Sequence, residues 1–68
     1  MHVQAVVFSA AHWSPALARA WLASHNYAPI KRVHRTASSL RYRLSEPVPG
    51  AAYYTKKLPN HVSLVLVR

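Results

Sequence analysis

The sequence predicts a small α+β domain of order β-α-β-β-β, an antiparallel sheet with a single helix packed on one face. Three observations predict it. The two ends of the chain, "HVQAVVF" and "VSLVLV", are apolar and rich in β-branched residues. Behind a Ser-Pro start, "PALARAWLASHN" is rich in the strong helix formers Ala and Leu. The central "LRYRL" alternates strictly between apolar and cationic positions, the period of a half-buried strand.

The first strand is expected over residues 2–8. A helix then starts at Pro15, where a missing N–H is no loss, with Ser14 accepting a hydrogen bond from an early helical amide. Leu17, Ala20, Trp21 and Ser24 fall on one helical face, with Ala18 and Leu22 beside them. His25 sits at the helix end, where the macrodipole favours a cation, and Asn26 suits a left-handed cap before Tyr27 and Pro29 stop the helix. Residues 30–36, "IKRVHRT", and 40–45, "LRYRLS", form a hairpin across Ala37-Ser38-Ser39. The first of these strands alternates poorly, since Ile30 and Val33 are three apart, which predicts a bulge or a late strand start. "EPVPGAAYYTKKLPN" holds three of the five prolines and the only glycine, a long connection with a short extended piece at "YYTKK". Residues 62–67 form the last strand.

The 68 residues make one domain, 1–68, because a second would have no core of its own. Without cysteine, neither a disulfide nor a thiolate metal site can reinforce it. No run of about 18 apolar residues exists to span a membrane. The first apolar stretch lacks a basic leader and is too short for a signal peptide. The expected location is the cytosol or the inside of a particle, with no membrane partner.

One helix covers one side of a sheet. If Val3, Ala5 and Val7 face the helix, Val6, Phe8, Val65 and Val67 face away from it as an apolar patch. Such a patch marks an interface, here a homodimer, or is covered by the proline-rich connection with Tyr53 and Tyr54.

Nine Lys/Arg against one Asp/Glu give a net charge of +8, which points to a polyanionic partner. Solubility is the competing explanation. Seven of the nine cations lie between residues 31 and 57: Lys31, Arg32, Arg35, Arg41 and Arg43, then Lys56 and Lys57. Arg41 and Arg43 share a strand face about 7 Å apart, close to the spacing of phosphates along one strand of nucleic acid. His34 and Tyr54 are candidate stacking groups beside them. Tyr42 points away from its arginine neighbours and is assigned to the core. A charged outer face also guards a small sheet against edge-to-edge pairing.

Five histidines show no short paired spacing, and Glu46 is the only carboxylate, so no metal ligand set is expected and no cofactor is implied. The same composition excludes carboxylate-pair chemistry. A phosphodiesterase using His34 or His61 with Lys56 is the one hydrolase the residues allow, but no group orients them. The expectation is a non-catalytic protein. It binds nucleic acid through phosphate contacts with little sequence specificity, or it is an interaction module steered by its charge to an acidic protein.

The segments "ARAWL", "HNYAPIKRVH", "LRYRL" and "TKKL", with an aromatic residue before the helix, resemble a small domain of viral and phage-type proteins that carries no settled biochemical activity. The resemblance covers nearly the whole chain and implies a viral accessory role rather than a mechanism, in the host cytoplasm or a virion; the interaction module is then virion-structural or an inhibitor of a host factor. The chain departs from the pattern at Ala28, where a basic residue is usual, and at Asn26, where Gly is common.

Overall fold

The computed structural model describes residues 2–67. The chain forms β1 (His2–Ser9), α1 (Pro15–Ser24), β2 (His34–Arg35), β3 (Ser39–Arg43), β4 (Tyr53–Leu58) and β5 (Val62–Val67). The strands make one antiparallel sheet in the order β2-β3-β1-β5-β4, with β1 at its centre and α1 across one face. The small α+β architecture is as the sequence predicts. The extended piece at "YYTKK" is a full six-residue edge strand.

Local grammar sets the helix. The Leu17 N–H donates to Ser14 Oγ at 3.2 Å, Pro15 follows the cap, and Asn26 takes the left-handed conformation at φ 61°. The His25 ring Nδ1 lies 2.8 Å from the Trp21 carbonyl, which also accepts from the His25 backbone N–H at 3.2 Å and from Ser24 Oγ at 2.8 Å. The buried helical residues are Ala18 and Leu22, while Leu17 is 57% exposed. The inward stripe is therefore rotated from the one centred on Leu17.

The core lies between α1 and the sheet: Val6, Phe8, Leu40, Tyr42 and Val62 against Ala18 and Leu22. Phe8 sits at its centre, its ring centroid 5.0 Å from that of Trp13 and 5.6 Å from those of Trp21 and Tyr42. Trp21 is only half-buried and stacks outward on His25 at 3.9 Å.

The expected apolar patch does not form on the open face. Val6 and Phe8 are both 0% exposed and face the helix. The cause is a register shift between Val3 and Ala5 in the β1–β5 ladder, which leaves Gln4 as an extra residue. The Gln4 carbonyl accepts from the Leu44 and Ser45 amides, and its Nε2 donates to the Ser45 carbonyl at 2.9 Å. Beyond this bulge Ala5 and Val7, not Val6 and Phe8, face away from the helix. Val65 and Val67 do lie on that open face, yet Val65 is half-buried and Val67 is 0% exposed. Val67 pairs with His2 and Tyr53 at the end of the sheet where the proline-rich connection returns. The Tyr53 hydroxyl accepts from the Val48 N–H at 2.6 Å and fastens that return. The patch that was to hold a homodimer is thus largely interior.

Candidate nucleic-acid interface

Strand alternation separates the side chains of β3. Leu40 and Tyr42 enter the core, Tyr42 at 2% exposure, and Arg41 and Arg43 emerge on the open face. β2 adds its residues opposite them: His34 pairs with Arg41, and Arg35 with Leu40. The regular strand begins late, at His34, as the poor alternation of residues 30–36 implies. Before it, the Ile30 N–H donates to the Arg43 carbonyl at 2.9 Å, which draws the preceding connection alongside β3. Lys31 and Arg32 are thereby set beside the two arginines.

These elements enclose a cleft of about 410 Å³ lined by Lys31, Arg32, His34, Arg41 and Arg43. Every lining residue carries a cation or an imidazole. The only acidic side chain of the sequence stands outside, with Glu46 Oε1 3.5 Å from Lys31 Nζ and both side chains more than half exposed. A surface pair of that kind neutralises little of the cleft.

From the cleft a row of paired residues crosses the open face: His34, Arg41, Val7, Ser63 and Lys57. Strands lie about 4.8 Å apart, so Arg41 and Lys57 are roughly 14 Å from each other along this row. Short side chains occupy the middle. Ser9, Ser39 and Ser63 help to line a shallow depression of about 500 Å³ that ends at Lys57 and His61. The open face is therefore a trough with a dense cationic wall at the β2 edge and a sparse one at β4.

The structure divides the cations that the sequence grouped together. Lys31, Arg32, His34, Arg41 and Arg43 meet in the cleft, and Lys57 shares their face. Arg35 and Lys56 lie on the helix side, since they pair with Leu40 and Leu64. Tyr54 pairs with Leu66 on that side too, so it cannot stack over Arg41 and Arg43; Tyr53 is the tyrosine of the open face. Each of these three corrections has the same origin, the register of an edge strand.

Arg19, on α1, is a cation that sequence reasoning did not single out. It acts with Arg35 on Tyr42: burial pushes the Tyr42 hydroxyl above the ordinary tyrosine pKa, and the two guanidinium groups partly oppose that shift. No sequence signal marks Arg19, because its role depends on how the helix lies over β3.

Four histidines lie outside the cleft. His12 and His61 stack with centroids 3.7 Å apart and rings 6° from parallel, and His25 stacks on Trp21. His34 and His61, weighed as acid and base, stand on opposite sides of β1 and do not meet. Among the described residues no three His, Cys, Asp or Glu side chains gather around a metal position, and no helix is long and apolar enough to cross a membrane. Comparisons with protein-family models, curated proteins and solved structures returned no match.

Proposed function

We propose that the protein binds single-stranded nucleic acid through its phosphates, with little sequence specificity and without catalysis. The observation that carries this reading is the cleft at the β2 edge, whose five lining residues are all cations or imidazoles. Phosphates in the cleft release condensed counterions and relieve the mutual repulsion of the lining groups. The trough toward Lys57 gives the strand a second anchor over a floor of small side chains. Specificity is low because Lys and Arg here meet the backbone, which carries no sequence information. Gln4, an amide suited to reading base edges, is buried and donates to the Ser45 carbonyl. The viral accessory role suggested by the motif pattern, in a host cytoplasm or a virion, is compatible with this activity and is part of the same proposal.

The test is a binding titration against single-stranded oligonucleotides over a range of salt. Four or five phosphate contacts give log K falling with log[salt] at a slope of roughly −3 to −3.5. Replacing Arg41 and Arg43 together by Ala should flatten the slope by about 1.4 and leave the order of preferred sequences unchanged. Salt-insensitive affinity, or no binding at low salt, refutes the reading and turns attention to an acidic protein partner.

A further inference from the structure

On the helix side of the same sheet edge lies a cavity of about 330 Å³, between α1 and the connection that leads to β2. Leu22 and Val33 are among its apolar lining residues, and Tyr27 and Tyr42 line it as well. Arg19, Lys31 and Arg32 supply the charge. Lys31 and Arg32 also line the cleft on the open face, so one pair of cations borders both spaces. β2 is only two residues long, and among the described residues it is the edge of the sheet, so a bound chain can pass around it there.

Such a pair of spaces suits a ligand that joins an anion to a flat, mostly apolar ring. An unpaired nucleotide has that chemistry, while a base held in a duplex has both of its faces covered. Tyr27 lines the cavity, and its ring is fixed in a stacked group with His25, centroids 6.4 Å apart and 8° from parallel. Its N–H donates to the Leu22 carbonyl at 2.9 Å beyond the left-handed Asn26, and its ring lies 6.0 Å from Trp21 at 25°. We propose that the strand whose phosphates occupy the cleft turns around the β2 edge and places one unpaired base in this cavity against Tyr27. This rests on the single-strand reading above and adds to it a base-binding site. Discrimination against duplex follows, because a paired base cannot enter.

The experiment compares three probes over one matched series of salt concentrations: a single strand, a strand of equal phosphate count lacking its bases, and the corresponding duplex. Stacking of one base predicts that the baseless strand binds about tenfold more weakly with an unchanged salt slope. The duplex should also bind more weakly than the single strand. Ala23→Leu fills the cavity from an exposed helical position and should lower the intact strand to the baseless value, leaving the baseless strand as it was. Tyr27→Leu, which keeps bulk but removes the ring, should do the same, and circular dichroism verifies the fold of both variants. If the baseless strand or the duplex binds as tightly as the intact strand, with a normal salt slope, the base site is refuted and phosphate binding stands. If no probe binds at low salt, both readings fall.

Discussion

Trp13 donates its indole N–H to the Asn60 carbonyl at 2.7 Å, joining two positions 47 residues apart. Asn60 and His61 both have left-handed backbones, φ 64° and 62°, in the connection between β4 and β5. The Ser9 N–H donates to the His61 carbonyl at 3.1 Å. The segment leading into the helix therefore clamps the turn of the last hairpin at two successive carbonyls. Trp13→Phe keeps most of the ring packing on Phe8 and removes one donor. It should cost about 1 kcal/mol, seen as a lower urea midpoint with an unchanged m-value.

Phe8, rather than Trp21, is the core's anchor. Phe8→Ala should cost about 3–5 kcal/mol, enough to unfold most of a domain this small. Trp21→Ala should cost clearly less, since that ring is half-buried and stacks on His25 toward solvent. Urea melts of the two variants side by side check the order. Equal losses would place the centre of packing on the helix instead.

Two adjacent lysines of β4 should behave differently. Lys57 shares the face of Arg41, whereas Lys56 pairs with Leu64 on the helix side. Lys57→Ala should flatten the salt dependence of single-strand binding by about 0.7, the contribution of one phosphate contact. Lys56→Ala should leave the slope where it was, although both variants lose the same net charge. Equal slopes in the two variants would mean that long-range charge, not placement, governs binding.

Alkaline pH should destabilise the fold through Tyr42. Its folded pKa lies above its unfolded value, chiefly through desolvation, so the folded state holds the hydroxyl proton more tightly. Its stabilising contribution is complete below about pH 10 and is lost as the pH rises through the folded value. Tyr42→Phe should remove that part of the decline. Denaturant melts of the parent and the variant between about pH 9 and pH 11 measure the difference.

Local features were the legible ones. Ser14-Pro15 marks its helix start within two residues, and "LRYRL" declares its faces because the alternation is unbroken. The faces of β1 were not legible in the same way. A single extra residue at Gln4 exchanges the orientation of everything before it relative to everything after it, which moved Val6 and Phe8 from the expected surface into the core. A polar Gln inside an otherwise apolar strand was the available hint. The basic site was legible in composition but not in membership. Arg35, Lys56 and Tyr54 are separated from Arg41 by the pairing of edge strands, and pairing is decided by partners far along the chain. Arg19 and the cavity beside Tyr27 depend on how the connection before β2 packs, which no local pattern encodes.

Among the described residues, no strand pairs with the outer edge of β4. That edge is six residues long, and Lys56 and Lys57 place a positive charge on each of its faces. A second copy approaching it would meet like charge whichever way it turned, which is an electrostatic protection of the edge. A polyanion that neutralises the chain removes it. Mixtures of protein and nucleic acid should therefore be clear when either component is in excess and turbid near charge equivalence, where strand edges no longer repel one another.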